Sequence, residues 1–570
     1  MLNSPAPVLI LGAGVNGLCV ARELILNRVP VWLVDTNDIA FGATAKSSRL
    51  IHGGLRYLEY GDFHLVSESL HERDRLLKLA PQYVTPLRLH IPVRRRLGGL
   101  IASGLKFLGL GGSRLGKWMG SGGGRGLLTV RFGLWMYDFL ARSQAVPHHS
   151  VTRTGQSGPQ FPAGEFPWSC SYFDAQMERP ERFCLALARE MQELAAQQGT
   201  EFRLLTYHRA TLTPDGIHIT PSSNSPSPPP PVAPSPHHLR PSLLINATGA
   251  WGDWTLQELP TSVPPLFGGT KGTHIFTKQA RLMEALGGDA VYVEAQDGRL
   301  VFLIPVEFGV MVGTTDDRFT ERPEVAHSTQ TEVAYLLQLA NEIFPQVKLT
   351  EADIFATCSG VRPLPYSDGS KTAAISRGHS VHEQTVNGLP LLTLIGGKLT
   401  TCRALGEEVA DRVFRHLEVP RTASTKDRII PGGENYPSGN HAVEAAIQAL
   451  ATTSGESVES CRAVWRLVGT RASEFFSNPQ RPASEKNATV AGTHLPRDFV
   501  REVIASEWVT TLEDLVERRL LLALEPTLTR ETLVALAGLL QTAHPQAMSI
   551  DEMVERASHR LRTFYARRDV

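Results

Sequence analysis

The chain has 570 residues, of which 42% are apolar and 20% charged, a composition that excludes wholesale disorder. Lys plus Arg and Asp plus Glu both number 57, so the zero net charge gives no global attraction to nucleic acid. The six cysteines show no CxxC pair and no metal-ligand spacing, which argues against a disulfide scaffold or a metal site and fits a reducing compartment. We expect no signal peptide, because the first residues lack a basic region and a small-residue cleavage site, and no apolar run in the sequence is long enough to span a membrane.

The first predicted elements, over residues 8–35, are a strand, a tight turn, a helix and a second strand. Gly12, Gly14 and Gly17 occupy the turn, where a dinucleotide fingerprint belongs: the first allows the turn, the second a close pyrophosphate, the third close helix packing. Asp35 ends the second strand, where an acid binds ribose hydroxyls. The pattern predicts dinucleotide binding and does not separate FAD from NAD.

Helices and strands alternate further along the chain. Helices are predicted at 64–80, 183–198, 329–344 and up to 417, and strands at 243–246, 290–294, 300–305, 309–313 and 391–395. The segment 221–241 holds nine prolines and five serines, which predicts a flexible surface insertion. Residues 440–570 are typical of a separate helical domain.

Residues 94–131 carry eight Lys or Arg and no acid, interleaved with Leu, Ile, Phe and Trp. The basic residues are Arg94, Arg95, Arg96, Lys106, Arg114, Lys117, Arg125 and Arg131. Basic and apolar residues mixed without acids favour an interfacial segment on anionic lipid, and the alternative is a solvated loop. Nucleic acid is disfavoured because aromatics are few.

Six motifs, in order and at matching spacing across roughly residues 8–415, resemble the FAD-dependent glycerol-3-phosphate dehydrogenases. They are Thr44–Glu59, Asn246–Trp251, Lys271–His274, Gly313–Asp316, Ser359–Leu364 and Gly396–Thr401. Near the C-terminus, Glu507–Val509, Asp514 and Arg518–Arg519 also resemble that family's helical domain.

The resemblance implies an α/β (α+β) protein with a Rossmann-type FAD-binding domain, a mixed-sheet substrate cap and a C-terminal helical domain. We expect the discontinuous FAD-binding domain at 1–80, 150–270 and 355–430, the cap at 81–149 and 271–354 with the membrane-facing segment 94–131, and the helical domain at 431–570. FAD is expected to bind noncovalently. Its implied contacts are Gly12, Gly14, Asn16, Gly17, Asp35, Thr44, Ser47, Ser48, Thr248, Gly249, Gly397, Leu399 and Thr400.

The implied reaction is oxidation of sn-glycerol 3-phosphate to dihydroxyacetone phosphate, with hydride moving from C2 to flavin N5 and electrons passing to a quinone. The implied substrate contacts are Arg56, Tyr57, Arg362, Arg377 and Lys398, and the implied catalytic set is His52, Arg56, Arg362 and Lys398. Arginine suits phosphate because its planar fork binds two oxygens. His52 is the candidate base, because an imidazole near its unperturbed pKa accepts a proton at neutral pH. Alternatively, His52 only hydrogen-bonds substrate or flavin, and water takes the proton.

The resemblance further implies a peripheral enzyme on the cytoplasmic face of the plasma membrane. Its partners would be glycerol 3-phosphate, a quinone and an anionic membrane surface, with a homodimer left open and no nucleic acid. The alternatives are a glycerol-3-phosphate oxidase that uses oxygen, a flavoprotein oxidase or dehydrogenase of an amino or 2-hydroxy acid, and a non-catalytic protein that FAD stabilises.

Overall fold

The computed structural model describes residues 6–96, 126–142, 145–222, 237–261, 263–295, 298–368, 375–478, 481, 485–545 and 548–570. Most of the predicted basic segment (97–125) and most of the proline-rich segment (223–236) lie outside the described residues. The described part contains a mostly parallel sheet, a large mixed sheet and a helical C-terminal region, which confirms the predicted fold class.

The strands are β1 (Val8–Leu11), β2 (Val31–Val34), β3 (Leu50–Ile51), β4 (Val84–Val93), β5 (Ser150–Arg153), β6 (Trp168–Met177), β7 (Phe202–Leu205), β8 (His208–Thr213), β9 (Gly216–Pro221), β10 (His237–Leu239), β11 (Leu243–Asn246), β12 (Thr270–Thr277), β13 (Ala290–Glu294), β14 (Leu300–Val306), β15 (Gly309–Gly313), β16 (Asp317–Arg318), β17 (Ile354–Arg362), β18 (Ser380–Val386) and β19 (Leu389–Ile395).

The helices are α1 (Val15–Leu26), α2 (Phe63–Leu79), α3 (Leu127–Ala141), α4 (Pro180–Gln198), α5 (Gly252–Gln257), α6 (Ala280–Leu286), α7 (Gln330–Ile343), α8 (Cys402–Leu417), α9 (Asn440–Ser454), α10 (Val458–Val468), α11 (Ala472–Phe476), α12 (Arg497–Ser506), α13 (Leu512–Asp514), α14 (Arg530–Ala543) and α15 (Ile550–Tyr565). A 3-10 helix, Leu55–Tyr60, precedes α2, and a π-helical turn, Leu515–Arg519, continues α13.

The first sheet has the order β18-β19-β11-β1-β2-β7. Its central strands β1, β2 and β11 are parallel and fully buried, as expected for short apolar runs covered on both faces. Helix α1 packs between α4 and α8 on one face, where Leu18, Leu187 and Leu405 share one core. The predicted strand–turn–helix–strand at the N-terminus is therefore present.

The second sheet has the order β16-β12-β15-β14-β13-β4-β6-β3, with β17 paired to β12 and β5 to β6. Strand β6 pairs with β4 along its whole length, although it falls in the range 150–270 that was expected for the FAD-binding domain. The boundaries between the domains stay predictions. The sequence analysis gave no strand at β4, β6, β12 or β17, because proline, charged and polar residues interrupt their apolar pattern.

Helix α3 is apolar on two faces. The inner face, with Val130, Leu134 and Tyr137, is buried. The outer face carries Leu128, Phe132, Trp135 and Phe139, which are 42%, 54%, 54% and 59% exposed. The rings of Phe132, Trp135 and Phe139 stack along the helix with centroids 6.0 and 5.9 Å apart. Among the described residues, no helix has both the length and the apolar character needed to span a membrane.

Candidate active site

A cavity of about 370 Å³ lies at the carboxyl ends of β1 and β2 and against β12 and β17 of the mixed sheet. Ligands of open α/β sheets bind at this end of the strands. Every predicted FAD contact except Gly17 lines the cavity, and so does every predicted substrate or catalytic residue except Arg56. Motifs from both ends of the range 8–415 thus meet in one place, while the role of each residue stays a prediction.

The glycines of the first turn are required for two different reasons. Gly12 has φ +106°, and a Cβ there would lie 2.5 Å from the Ala247 carbonyl oxygen; one on Gly17 would lie 2.0 Å from the Gly12 oxygen. Those two glycines pack the turn against β11 and α1. A Cβ on Gly14 would meet nothing closer than the Thr44 Oγ1, at 3.5 Å. Gly14 is therefore not required by the protein's own packing, and it leaves the N-terminus of α1 open to a phosphate.

Asp35 holds this turn to the loop that follows β2. Its carboxylate accepts the backbone N–H groups of Ala13 and Asn37, each at 2.8 Å. Burial raises the pKa of Asp35 to about 6, although these two hydrogen bonds oppose the shift. The carboxylate also lines the cavity, as a ribose-binding acid must.

The turn between β19 and α8 rests on the start of α1. Gly396 and Gly397 have φ +76° and +90°, and a Cβ on Gly397 would lie 2.4 Å from the Asn16 Nδ2. That Nδ2 donates to the Gly396 carbonyl at 3.5 Å. At the end of β11, the Thr248 hydroxyl donates to Asn246 Oδ1 at 2.7 Å, which fixes the Thr248–Gly249 turn. The Gly397 turn therefore packs directly on Asn16 of α1, and both turns line the cavity.

The loop that carries His52 is held from two sides. The His52 N–H donates to the Thr400 Oγ1 at 3.1 Å. The next N–H, of Gly53, donates at 2.8 Å to the Tyr137 hydroxyl, which donates to Asp174 at 2.7 Å. A Cβ on Gly53 would lie 2.5 Å from that hydroxyl, so α3 approaches the loop as closely as glycine allows.

His52 does not titrate near its unperturbed value, so that expectation from the sequence is wrong. Burial first, and then the charges of Lys398 and Arg377, lower its pKa to about 3. The imidazole is therefore neutral at pH 7 in this state of the site. A neutral imidazole still has one nitrogen free to accept a proton from a bound substrate.

Arg362 and Arg377 share one carboxylate. Asp316 accepts from Arg362 Nη1 at 3.1 Å and from Arg377 Nη2 at 2.8 Å. Arg362 also donates to the Thr314 Oγ1 at 2.8 Å, and a Cβ on Gly272 would lie 2.2 Å from its Nη2. Burial lowers the pKa of Arg362 to about 10, while burial alone would raise the pKa of Asp316 and the two arginines hold it below its ordinary value.

Lys398 lies against the ring of Tyr57, with its Nζ 4.2 Å from the ring centroid. The Nζ donates to the Ser69 Oγ at 3.3 Å. Burial lowers the pKa of Lys398 to about 7, although the carboxylates of Glu68 and Asp62 oppose the shift. Lys398 therefore changes charge within the physiological pH range.

Arg56 and His274 depart from the predicted set in opposite directions. Arg56 lies on the 3-10 helix beside Tyr57 but does not line the cavity. Burial raises the pKa of the Tyr57 phenol, although the charges of Arg377, Arg362 and Arg56 oppose the shift. His274 lines the cavity from β12, hydrogen-bonds the Ser48 Oγ at 2.9 Å, and was given no role from the sequence. Burial lowers the pKa of His274 to about 3, so it too is neutral.

Comparison with known proteins identifies the family. The profile of the family described as FAD dependent oxidoreductase matches residues 7–412. A glycerol-3-phosphate dehydrogenase from Synechocystis sp. is 32% identical over 482 residues, covering 79% of each chain. This chain belongs to the FAD-dependent oxidoreductases. Within them it belongs to the glycerol-3-phosphate dehydrogenase family, as the six motifs indicated.

Two further comparisons cover almost the whole chain of this oxidoreductase. A D-erythritol 1-phosphate dehydrogenase from Brucella abortus is 28% identical over 521 residues, 90% of this chain and 93% of the relative. The crystal structure of a glycerol-3-phosphate dehydrogenase from Bacillus halodurans complexed with FAD shares the fold, with a TM-score of 0.68 at 18% identity, over 99% of this chain and 96% of that one.

The cofactor of this oxidoreductase is FAD, and the residues present fit it. The turn at Gly14 is open where a pyrophosphate must approach, and Asp35 faces the same cavity. The second glycine turn, at Gly397, provides a further surface without side chains.

The sequence analysis missed three supporting residues: Ser69, Tyr137 and Asp316. Asp316 ends the Gly313–Asp316 motif, and an acid placed there among threonines was the available signal. Ser69 and Tyr137 lie on α2 and α3, where nothing in the local pattern separates them from ordinary helix residues.

Proposed function

We propose that this enzyme oxidises sn-glycerol 3-phosphate at C2 to dihydroxyacetone phosphate. The observation that carries the proposal is the arginine pair Arg362–Arg377 on Asp316, in the same cavity as the glycine fingerprint. A phosphate dianion is the ligand that two guanidinium forks and an ammonium recognise best. The two relatives are named as dehydrogenases of phosphorylated polyols, which supports the same substrate class.

Each side chain then has one task. Arg362 and Arg377 bind the phosphate, and Asp316 fixes their planes before the substrate arrives, so little ordering is left for binding. Lys398, with Arg56 as a further predicted contact, adds positive charge for binding the phosphate. FAD supplies the acceptor for the hydride that leaves C2, at flavin N5.

The proton of the C2 hydroxyl goes to His52 or to water that His52 orients. The neutral His52 imidazole can accept it, and a bound dianion would offset the cations that now lower the pKa of His52. Thr400 and Tyr137 keep the loop of His52 in place during this transfer.

The test is anaerobic addition of substrate to the purified flavoprotein while the flavin absorbance is followed. We expect glycerol 3-phosphate to bleach the flavin and glycerol to do so very poorly. Comparable kcat/KM for the two would refute the assignment, and no bleaching by any substrate would favour the non-catalytic alternative.

A second candidate substrate, erythritol 1-phosphate, follows from the relative of that name. The same assay ranks the two by kcat/KM, because both carry the phosphate and differ only beyond C2. Bleaching by amino or 2-hydroxy acids in preference to both would point instead to a site that clamps a carboxylate.

We propose a quinone as the electron acceptor. The support is the outer face of α3, which offers apolar contact with a bilayer, where a quinone dissolves. The alternative, an oxidase, gives one peroxide per turnover. The assay makes two measurements: the rate of substrate turnover under nitrogen in the presence of a soluble quinone, and the rate of peroxide release in air. Peroxide release at the full turnover rate in the absence of quinone would favour the oxidase.

We propose further that the enzyme binds the cytoplasmic face of the plasma membrane peripherally. The basic segment 94–131 supplies charge, and α3, which begins at its end, supplies the exposed rings of Phe132, Trp135 and Phe139. Each basic residue near an anionic surface contributes about 1 kcal/mol, and each fully inserted ring about 1.5–3 kcal/mol. The homodimer stays a prediction, which light scattering of the purified enzyme checks.

Co-sedimentation with anionic liposomes tests this surface. A variant with Arg94, Arg95, Arg96, Lys106, Arg114 and Lys117 changed to Gln should lose the salt-sensitive part of binding. The double variant Trp135→Ser and Phe139→Ser should lose the salt-resistant part. Val534→Ser, at an exposed apolar residue of α14, is the matched control and should bind as wild type. Equal sedimentation of all variants would exclude this anchor.

A further inference from the structure

The loop from Asp35 to Ser48 forms one side of the FAD cavity. Its residues 35–37, 41–44 and 46–48 line the cavity, so its conformation decides whether FAD fits. Within the Rossmann region this loop is held by few backbone bonds, among them Ala40 N–H to the Ala13 carbonyl at 3.0 Å. Asp38, in its centre, does not line the cavity and is fully buried.

The carboxylate of Asp38 is bound by the C-terminal helical domain. It accepts from Arg518 Nε at 2.5 Å and from Arg519 Nη2 at 2.8 Å. Burial alone would raise the pKa of Asp38, but the two guanidinium groups hold it below its ordinary value. A buried carboxylate with two arginines is costly to separate, because each partner would be left as an unpaired buried charge.

The two arginines are themselves fixed within their own domain. Arg518 donates to Asp514 at 2.8 Å, and Arg519 donates to the carbonyls of Glu507 and Trp508 at 2.7 and 3.0 Å. These residues are the C-terminal motif that the sequence analysis singled out without a role. Their geometry shows that the motif binds the FAD-binding region in addition to making contacts within its own domain.

A second route to the same loop passes through Tyr207. Its hydroxyl donates to Asp514 at 2.5 Å, and its backbone N–H donates to the Asn37 carbonyl at 3.0 Å. Asn37 lines the cavity. The loop is therefore tied to Asp514 at residues 37 and 38 by independent hydrogen bonds.

Aromatic contacts also connect the second half of the loop to the C-terminal helical domain. Phe41 lies near Arg518 and Arg560, whose guanidinium carbons are 5.6 and 5.1 Å from the ring centroid. Phe564, on α15, has its ring centroid 5.3 Å from the Lys46 Nζ. Both Phe41 and Lys46 line the cavity, so contacts from α15 reach its wall.

We propose that the C-terminal helical domain is a working part of the FAD site, and that Asp38, Arg518 and Arg519 are positioning residues that hold the loop 35–48 in its FAD-binding conformation. Loss of this contact releases FAD rather than merely loosening the domain. The inference concerns the cofactor and does not depend on which substrate the enzyme oxidises.

The test measures FAD release from the full-length holoenzyme on dilution, by the fluorescence of free flavin. Asp38→Asn keeps the shape of the side chain and removes the charge that pairs with the arginines. Glu507→Gln is the matched control, because Glu507 is equally buried and joined to Arg182 of α4 by bonds of 2.6 and 2.9 Å. It also leaves the Glu507 backbone carbonyl in place for Arg519.

We expect both variants to unfold at lower temperature than wild type, but only Asp38→Asn to weaken FAD binding, by about tenfold or more, which corresponds to about 1.4 kcal/mol. Hydrogen exchange of residues 35–48 should rise in Asp38→Asn only, and excess FAD should restore its kcat. Equal FAD affinity in both variants, or equal loss in both, would overturn the proposal.

A milder variant covers the case in which Asp38→Asn does not fold. Phe564→Leu removes a half-buried ring on α15 whose centroid is 5.3 Å from the Lys46 Nζ, and Lys46 is not one of the predicted FAD contacts. We expect it to release FAD about threefold faster than wild type, with substrate KM unchanged at saturating FAD. An unchanged release rate would contradict the role of this domain.

Discussion

The two ends of the cavity are formed by different parts of the residues, backbone at one end and charged side chains at the other. At the FAD end, backbone conformations form the site: Gly12 and Gly397 have positive φ, and the start of α1 is open at Gly14. At the proposed substrate end, charged side chains form it, and Arg362 and Arg377 both donate hydrogen bonds to Asp316. Glycines, which have no side chains, shape the FAD end. Charged side chains that are held in place by other groups shape the other end.

This difference predicts opposite sensitivities. A site formed by backbone fails when an atom is added, because the added Cβ meets a neighbouring part of the chain, as at Gly12, or stands where the ligand approaches, as at Gly14. A cluster of cations loses affinity for its ligand when one charge, or the group that positions it, is removed. The loss is partial, because several groups bind the same ligand. Each end therefore calls for its own kind of substitution.

The largest effect is expected from Gly14→Val. A Cβ there would meet only the Thr44 Oγ1, at 3.5 Å, so the protein's own packing does not exclude a side chain at its first atom. It would stand where the pyrophosphate approaches, and we expect a folded protein without FAD and without activity. The measurements are the flavin-to-protein absorbance ratio and the thermal unfolding of the apoprotein.

The control for Gly14→Val is Gly388→Ala, in the hairpin between β18 and β19. Gly388 has φ +81°, and a Cβ added there would have no neighbour within 4 Å, so the change adds backbone strain of about 1–2 kcal/mol and no clash. It should retain FAD fully. A Gly14→Val protein that purifies with a full complement of FAD would show that backbone access at this turn is not needed.

At the substrate end, Arg362→Ala should lower kcat/KM by about 2–4 kcal/mol, or roughly 30- to 900-fold, because a charge-assisted bond to the phosphate is lost. FAD content should stay at the wild-type level, which separates this end from the other. Arg412→Ala, which breaks ion pairs with Glu383 and Glu408 on the outside of α8, is the control and should be neutral. A loss under threefold for Arg362→Ala would mean that the phosphate lies elsewhere.

The same contrast explains what the sequence could predict. The FAD end rests on short patterns, such as the strand–turn–helix with Gly12, Gly14 and Gly17, and each pattern is complete within about 30 residues. The predicted helices and strands of this region agree with the structure within a few residues. The parallel strands β1, β2, β11 and β19 follow from them, since each is a short, largely apolar run. The polar strand β18, which pairs antiparallel with β19, does not.

The substrate end required distant contacts that no local pattern contains. Asp316 meets Arg377 across 61 residues and Lys398 meets Ser69 across 329. The family resemblance supplied the cations, but it did not supply their partners. The lowered pKa of His52 likewise comes from burial and from Lys398 and Arg377, which the sequence could not place around it.

The role of Asp316 is tested by Asp316→Asn. The amide keeps the shape but not the charge that aligns Arg362 and Arg377, so we expect KM to rise about tenfold with kcat changed less than threefold. Asp317→Asn is the control: this neighbour pairs with Arg299 at 2.9 Å on the surface and should behave as wild type. If both variants keep the wild-type KM, the arginines are aligned without Asp316.

The last prediction for the substrate end is a pH dependence, whose effect is small near pH 7 and grows at higher pH. The pKa of Lys398 is about 7, so its charge is lost as the pH rises through that value. The substrate phosphate becomes a dianion above about pH 6. If the charged ammonium takes part in binding, kcat/KM rises as the pH is increased to about 6, because the phosphate becomes a dianion. Well above pH 7, kcat/KM falls tenfold per pH unit, because Lys398 has lost its charge.

The variant Lys398→Arg tests whether the titration of this side chain causes the fall of kcat/KM above pH 7. Arginine stays charged at every pH used, so the fall above pH 7 should disappear even if kcat/KM is lower throughout. His52 adds no limb between pH 5 and 8, because its pKa of about 3 leaves it neutral over that range. A wild-type kcat/KM that instead rises through pH 7 and then levels off would assign Lys398 the role of proton acceptor, because a base must lose its own proton first. The direction of this one limb therefore separates a lysine that binds phosphate from a lysine that takes the hydroxyl proton.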